Sequence, residues 1–556
     1  MRPVALRLAI PPPLVLLAVV APQPALAADH DVGEGQTYAT PAEVPWASLQ
    51  PGDTVRIHAR AEPYRERWGI TVSGTADAPI SIVGVPADDG TPPTIDGQDA
   101  IDGPDAHPRG LITIREGAQH LRVRCLELRG AHPEHGFPDA ASGIYVESGR
   151  NLDFEALTIH GCGNGFFVAP DAADIRLADS IVFGNGNDGS IYEHNAYTES
   201  DGIVYEGNRF GPLREAALGT NIKDRSADTI IRYNWVEGGN RSLDLVEPED
   251  GAPAFGAAAQ TSPAFVYGNV FIKRDDAPTN SQVVHFGGDL GGGGERENLY
   301  FYANTVFSTR PTTTGFYLNA AAPHAVIVDN IFFTTQGGAS LRMFDTDTST
   351  ATTGSFDHNW VIDGWVLSAD PGLAFDGLAQ TGTLGGADPG FASIVDEDLH
   401  LVADAAVRDA GVALPAELAA MPPTSEPTAP GLAPRIDDGL PDLGAFEYCE
   451  GECGGGDTSG GTDGGTDDGG ADGSADEGPA TGDGTVGSEA SAGDGSAGDG
   501  AGGTADSSGA QGPGASDDGD ADGCGCGATA PSATAWLLAL VLLARRRRSG
   551  NSTREA

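Results

Sequence analysis

An asparagine recurs between two short apolar runs through the middle of the chain, and this repeat limits the fold more than any other feature. The copies are centred on Asn208, Asn234, Asn269, Asn304, Asn330 and Asn359, and related runs begin at His120, Asn151 and Asp174. Successive copies lie about 23 to 35 residues apart, a spacing typical of a solenoid. Apolar and polar residues alternate within each copy, which indicates strands rather than helices.

The pattern predicts an all-β fold, a right-handed single-stranded parallel β-helix over residues 28–359. Each coil would contain three short strands, and coils would stack about 4.8 Å apart. The asparagines fit the tight corners, because Asn tolerates the left-handed conformation and its amide can bond the Asn of the next coil. The repeat fades after Asn359, and an end coil exposes apolar core and strand edges. Residues 360–448 are therefore predicted to form terminal coils and a cap.

The two ends of the chain are predicted to be processing and sorting segments. Arg2 and Arg7 precede an apolar run and a small-residue cleavage pattern, which predicts a signal peptide over residues 1–27. Residues 449–523 are almost entirely small or acidic, which predicts a disordered acidic stalk. Residues 524–556 contain two cysteines, a short apolar run and an arginine cluster, and the run is short for a membrane span of about 20 residues. We expect an exported protein retained at the cell surface or outer membrane, which meets a membrane only through this tail.

The charge of the chain excludes one broad class of function. Formal charge is -49, from 31 Lys and Arg against 80 Asp and Glu, and the part predicted to fold stays acidic without the stalk. Nucleic-acid binding rests on Lys and Arg contacts to phosphate, so no nucleic-acid partner is expected. An acidic surface suits an exported protein kept soluble in salt, or one that binds cations.

Outward positions on one strand of each coil predict a wall of a groove. Alternate residues of a strand point outward, and the resulting column contains Tyr145, Phe167, Tyr192, His194, Asn221, Lys223, Asp244, His285, Tyr317 and Asn319. Neighbours in the column would lie about 5 Å apart. Aromatic residues at both ends and ionisable residues between them suit a chain of sugars. We predict that Tyr145, Phe167, Tyr192, Asn221, Arg241, Tyr317 and Asn319 bind substrate.

Lys223 is the candidate general base, with Arg225, His194 and His285 as further catalytic candidates. Nearby cations and partial burial can lower the pKa of a lysine toward neutrality. The alternative is a structural charge cluster, in which Lys223 pairs with Asp224 to fix a turn.

Carboxylates near Lys223 leave two further interpretations open. Asp244 and Glu247 could bind Ca²⁺, or could form the carboxylate pair of a glycoside hydrolase. Asp275, Asp276 and Asp289 are predicted to be solvated loop charges. No organic cofactor is expected.

The stretch containing Asn221, Lys223 and Ser226 resembles the catalytic face of chondroitinase B-like and alginate-type polysaccharide lyases, which have a pectin lyase-like fold. The opening turns at 51–53, 73–75 and 95–97 are similar to the first coils of that group, so the resemblance covers residues 32–448. It implies β-elimination of a uronic-acid polysaccharide, with Lys223 in the position of the base. The strand at 242–247 lacks the arginine of those lyases, and only Glu215 is near their calcium-binding glutamates. The tail with Cys524 and Cys526 resembles the MYXO-CTERM sorting tails of surface proteins.

The sequence therefore predicts a monomeric protein that acts on an anionic polysaccharide. A lyase is the first hypothesis. A glycoside hydrolase on the same groove and a non-catalytic carbohydrate-binding or adhesion protein remain as alternatives, because fold alone does not decide among them.

Overall fold

Three ladders of short parallel strands wind around one hydrophobic core. This computed structural model describes residues 27–249, 254–275, 280–290, 294–346, 352–368, 378–436 and 438–450. Over these residues the chain is a right-handed parallel β-helix, as the sequence predicts, and each coil passes in turn through three sheet faces that we call A, B and C. The predicted signal peptide, acidic stalk and sorting tail lie outside the described residues, apart from a few residues at their edges.

Face A carries the predicted groove wall. Two long strands, Ser142–Glu155 and Asn164–Ala178, contribute their first halves to face A and their second halves to face B. The other strands of face A are Glu66–Ile70, Ile101–Asp102, Gly110–Ile114, Ala196–Thr198, Ile222–Asp224, Leu243–Val246, Gln282–Gly287, Thr313–Asn319, Leu341–Asp345 and Val366–Ser368.

Faces B and C complete each coil. The remaining strands of face B are Asp29–Val32, Thr54–His58, Ile80–Val85, Ala118–Arg124, Asp201–Glu206, Ala227–Arg232, Ala264–Tyr267, Asn298–Tyr302, His324–Val328, Thr353–Asp357 and Leu378–Thr381. Face C contains Thr94–Asp96, Glu127–Arg129, Thr158–His160, Ile181–Phe183, Arg209–Phe210, Trp235–Glu237, Val270–Lys273, Thr305–Ser308, Ile331–Thr334, Trp360–Ile362 and Leu384–Gly386.

Helices are few and short in the part of the chain that the structure describes. The one α-helix there is Gly256–Thr261, and the 3₁₀ turns are Pro41–Glu43, Trp46–Ser48, Pro133–His135 and Gly338–Ser340. None of these helices is long and apolar enough to cross a membrane.

Period-two alternation places the apolar side chains inside the coil. Phe301 packs against Phe316 with ring centroids 5.0 Å apart, and Phe332 packs against Phe356 at 6.0 Å, so one aromatic core runs through faces A, B and C.

The asparagine ladder at the corner between faces B and C is confirmed. The Asn234 backbone N–H and side-chain amide both donate to Asn269 Oδ1, at 2.8 and 2.9 Å, and Asn269 repeats this pattern toward Asn304. The predicted left-handed conformation of the asparagines is wrong. The residue before each Asn turns the chain instead, with φ of 57° at Tyr233 and 50° at Ala303, which leaves the asparagine free to direct its amide inward.

Residues 387–436 and 438–450 run along the outside of the β-helix. Two antiparallel strand pairs occur here, Phe391–Ser393 with Asp398–Leu401 and Ser425–Pro427 with Leu432–Pro434. Phe391 packs on the outer side of Phe333 in face C, with ring centroids 5.8 Å apart. Met421 O accepts a hydrogen bond from Tyr302 Oη at 2.7 Å. These contacts lie on the side of the coils, whereas the sequence predicts an end cap for 360–448; that boundary stays a prediction.

Candidate active site

One column of outward side chains runs along face A. Strand register aligns Thr113, Tyr145, Phe167, Tyr197, Lys223, Asp244, His285, Tyr317 and Asp345 on successive coils. The predicted alignment of Tyr145, Phe167, Lys223, Asp244, His285 and Tyr317 is therefore confirmed. Parallel, in-register coils bring Lys223, Asp244 and His285 together at the centre of this wall.

The predicted placement of Tyr192 in the column is wrong. Tyr192 is 76% exposed in the loop that precedes the strand Ala196–Thr198, because that strand begins four residues later than the alternation suggested. Tyr197 takes its position, between Phe167 and Lys223.

His194 lies beside the column instead of in it. It is buried, its Nδ1 accepts a hydrogen bond from the Thr220 backbone N–H at 2.9 Å, and its ring stacks on Tyr197 at 5.8 Å. Burial and the positive charge of Lys223 lower the pKa of His194 to about 3. At neutral pH this histidine is uncharged, with Nδ1 held as an acceptor.

Asn221 and Asn319 both bind backbone, but only Asn221 departs from its predicted outward position, because Asn319 alternates with the outward Tyr317 and is half-buried. Asn221 is fully buried in a second ladder, where its Oδ1 accepts from Asn195 Nδ2 at 2.6 Å and its own Nδ2 donates to Glu237 O at 2.9 Å. Asn319 Nδ2 donates to Gly288 O at 2.8 Å, and Gly288 N–H donates to Asn319 O at 2.7 Å. Asn319 therefore fixes the start of the loop that follows the strand Gln282–Gly287.

Lys223 stands at the centre of a buried charge cluster. Its Nζ contacts Asp244 Oδ2 at 2.7 Å and also donates to Asp289 Oδ2. The Arg225 guanidinium donates to both oxygens of Asp289, each at 3.1 Å. Asp289 is therefore a shared partner of Lys223 and Arg225, and the prediction that it is a solvated loop charge is wrong.

The predicted pairing of Lys223 with Asp224 does not occur. Asp224 points to the opposite side of the strand, where it accepts from Arg296 Nη1 at 2.9 Å and Thr198 Oγ1 at 2.8 Å. Both charged side chains are fully buried. Adjacent residues of a strand face opposite ways, which separates the structural charge of Asp224 from the groove charge of Lys223.

Asp244 links three basic side chains. It accepts from His285 Nδ1 at 2.5 Å on one oxygen, and from Lys223 Nζ at 2.7 Å and Arg241 Nη1 at 3.2 Å on the other. Burial alone would raise the pKa of Asp244, but Lys223, His285 and Arg241 lower it well below its usual range. A carboxylate accepts only, so His285 carries its proton on Nδ1. His285 Nε2 is buried and has no hydrogen-bond partner within the described part of the chain.

The two predicted metal ligands are engaged by other groups. Glu247 Oε1 accepts from the backbone N–H groups of Asp289 and Leu290, at 3.1 and 2.8 Å, and Glu247 O accepts from Arg225. Among the residues that the structure describes, no group of three or more His, Cys, Asp and Glu side chains is arranged to hold a metal ion. Calcium binding at Asp244 and Glu247 stays a prediction.

Aromatic residues form a packed wall at one end of the column. Phe167 stacks on Tyr197 with centroids 4.8 Å apart and planes 10° from parallel, and Tyr145 meets Phe167 edge-on at 5.6 Å. The Arg109 guanidinium covers Phe167 at 4.4 Å and Tyr145 at 5.0 Å. Because ring faces are used within the wall, the stacking of sugars on Phe167 that we predicted would require Arg109 to move. Tyr197 Oη donates to Glu249 Oε2 at 3.1 Å.

Comparisons with known proteins identify only distant likenesses. No family model matches the chain, and no curated protein matches it. An alginate lyase from Paenibacillus sp. str. FPU-7 is 13% identical over 58% of this chain and 97% of its own, with a TM-score of 0.40. Pectate lyase Pel9A is 12% identical over 76% of this chain and 97% of its own, with a TM-score of 0.44. DFA-IIIase from Arthrobacter chlorophenolicus A6, in complex with GF2, is 13% identical over 62% of this chain and 85% of its own, at 0.34. None of these likenesses decides what the present chain does.

Three site residues escape sequence reasoning for different reasons. The outward position of Tyr197 could have been predicted from the sequence, since Tyr197 lies between the inward residues Ala196 and Thr198 in a short strand. Arg109 precedes its strand, and Asp289 follows its strand in a loop, so period-two alternation gives no direction for either side chain. Loop residues carry function in many folds, but their orientation depends on contacts that are distant in sequence.

Proposed function

We propose that the chain cleaves an acidic polysaccharide by β-elimination in the groove on face A. One observation carries the proposal: Asp244 orients His285, whose Nε2 has no partner among the described residues, and also binds Lys223, which holds a second carboxylate, Asp289, together with Arg225. β-Elimination next to a uronic carboxylate needs a base that removes the proton α to the carboxylate and cations for the enolate-like anion. The bond between the β carbon and the glycosidic oxygen breaks as the double bond forms, and the leaving oxygen takes up a proton from the protonated base or from water.

His285 is better suited to the base role than Lys223, the base predicted from the sequence. Lys223 forms ion pairs with two carboxylates, and these require its ammonium form, whereas a base must be unprotonated. In His285, Asp244 accepts from Nδ1 and leaves the lone pair on Nε2. A carboxylate that fixes the tautomer in this way is a common arrangement for a histidine base.

Lys223 and Arg225 then supply the electrostatic part of the reaction. Both are almost fully buried, and charge-assisted hydrogen bonds are strongest where water is excluded. Their ammonium and guanidinium groups would stabilise the negative charge that develops on the uronic carboxylate after proton removal.

A glycoside hydrolase is the second candidate, because Asp244 and Asp289 both contact the same lysine nitrogen. A hydrolase also needs one carboxyl group that stays protonated as the acid. Burial would raise the pKa of Asp289, but Lys223 and Arg225 lower it below its usual range, as happens to Asp244. Both groups are therefore ionised at neutral pH, which favours elimination over hydrolysis.

Export and retention at the cell surface, inferred from the chain ends, belong to the same proposal.

Incubation of the full chain with a panel of uronic-acid polymers tests the proposal, with calcium and with chelator. Elimination leaves an unsaturated sugar that absorbs in the ultraviolet, whereas hydrolysis leaves reducing ends without that absorbance. His285→Gln is expected to reduce the elimination rate by about 10² to 10⁴, because it removes the base. His324→Gln, on face B, is the matched control and should leave the rate unchanged. Reducing ends without absorbance, or full activity of His285→Gln, would contradict the assignment.

A further inference from the structure

Asp289 contacts Lys223 and Arg225 as a bound acidic ligand would. Its two oxygens lie end-on against the Arg225 guanidinium, where Oδ1 accepts from Nη1 and Oδ2 from Nη2, both at 3.1 Å, and Oδ2 also accepts from Lys223 Nζ. A fork of two guanidinium N–H groups facing two carboxylate oxygens is the strongest common geometry for carboxylate recognition. The pair is therefore already organised to hold a carboxylate, and the one it holds belongs to the chain itself.

The backbone around Asp289 is fixed, but its side chain reaches solvent. Glu247 accepts from the Asp289 and Leu290 N–H groups, and Asn319 holds Gly288. The Asp289 side chain is nevertheless 25% exposed, against 8% for Lys223 and 4% for Arg225. Rotation about the side-chain bonds of one residue can therefore empty the site without unfolding the loop.

Two nitrogen atoms of the cluster have no partner among the residues that the structure describes. Arg225 Nε and His285 Nε2 are both buried there without a hydrogen bond. Buried polar groups are almost always paired, so each unpaired group needs an explanation. A ligand larger than an aspartate side chain, with hydroxyl groups next to its carboxylate, offers partners of both kinds.

Carboxylates outnumber cations around the site by one while Asp289 remains in place. Three cations, Lys223, Arg225 and Arg241, face the four carboxylates of Asp244, Glu247, Glu249 and Asp289. An added anion would meet no excess of positive charge there, and Asp289 itself would repel it.

We propose that Lys223 and Arg225 form a carboxylate-binding site whose present occupant is Asp289, and that an acidic sugar binds by replacing the Asp289 carboxylate. The site is thus self-inhibited, and Asp289 raises the concentration of acidic sugar needed to fill it. The identity of the natural ligand rests on the proposed function, whereas the existence of the carboxylate-binding site does not depend on it.

Calorimetric titration of the full chain with sodium glucuronate tests the inference without any turnover. Asp289→Ala is expected to bind glucuronate at least about tenfold more tightly than wild type, because a competing charge-assisted pair is removed. Uncharged glucose should show no such gain. Asp201→Ala is the control: it also removes one carboxylate, but Asp201 is exposed in the face B strand Asp201–Glu206, so its loss should change glucuronate affinity little.

Asp289→Asn keeps the shape of the side chain and decides the matter if Asp289→Ala does not fold. A gain for glucuronate in either folded variant, lost again when Lys223→Met is added, supports the site. Equal or weaker glucuronate binding in the folded Asp289 variants overturns it, as does an equal gain for glucose. A protein that binds glucuronate in this way but cleaves no polymer would refute the lyase and keep the site.

Discussion

Replacement of Asp224 by Asn should destabilise the β-helix strongly, although Asp224 is adjacent to the groove residue Lys223. Asp224 and Arg296 are both fully buried, with 2.9 Å between Oδ2 and Nη1. Asp224 also accepts from Thr198 Oγ1 at 2.8 Å and Thr229 Oγ1 at 2.6 Å. In Asp224→Asn the guanidinium of Arg296 stays buried, but the charge that compensates it is gone.

Loss of one partner from a buried ion pair costs about 3 to 5 kcal/mol, since the remaining charge is desolvated without compensation. Asparagine keeps the volume and one acceptor oxygen, so the lower end of that range, about 3 kcal/mol, is expected. The pair itself adds far less than this to stability, because desolvation offsets most of the attraction. Addition of Arg296→Met should therefore restore part of the loss in the double variant.

Urea unfolding of the full chain, followed by circular dichroism, measures the free-energy difference. Asp201→Asn is the matched control: Asp201 is exposed at the start of the neighbouring strand Asp201–Glu206, and a change within about 0.5 kcal/mol is expected. A loss below about 1 kcal/mol for Asp224→Asn would show that the carboxylate is not the counter-charge of Arg296. No recovery on adding Arg296→Met would contradict the desolvation argument.

Two further predictions concern the corner and the outer segment. Asn269→Ala should lower the free energy of unfolding by about 3 kcal/mol, because the Asn234 N–H and Ile231 O lose buried partners. Urea unfolding measures this loss. A loss below about 1 kcal/mol would mean that the ladder is dispensable. Burial raises the pKa of Asp329 to about 7 where its carboxylate accepts from Val412 N–H. The folded state therefore binds the proton more tightly than the unfolded state, and stability should fall by up to roughly 4 kcal/mol as pH rises from about 4 to 7. Asp329→Asn should flatten that pH profile, and an unchanged slope would reject Asp329 as its source.

The fold was predictable because each coil repeats one local problem. Every coil needs inward apolar residues, a corner and a strand that pairs with the next coil. The same sequence pattern therefore recurs in each repeat. The alignment of Lys223, Asp244 and His285 on successive strands follows from the alternation of inward and outward residues alone. The left-handed corner was misplaced by one residue, because an Asn suits both the turn and the ladder, and only the structure separates the two roles.

The candidate site was predictable only where strands carry it. The predictions for Tyr192 and Asn221 failed because each residue lies before the start of its strand, where alternation gives no direction. Asp289 is separated from Lys223 by 66 residues, and no local pattern connects a loop carboxylate to a lysine so distant in sequence. What such a residue contacts is decided by how the loop is anchored.

Anchors at both ends of that loop explain why the chain keeps a buried charge that contributes little to stability. Asn319 and Glu247 hold its start at Gly288 and Asp289, and Arg296 inserts into the core to reach Asp224 at its end. A protein with apolar residues in place of Arg296 and Asp224 could be equally stable. Apolar residues would not, however, fix the position of Arg296 as specifically as an ion pair does. We therefore expect the buried pair to influence the groove through the position of Asp289. Asp224→Asn should therefore also weaken the hold of Asp289 on Lys223 and raise the affinity for glucuronate, an effect that a purely structural role of the pair would not produce.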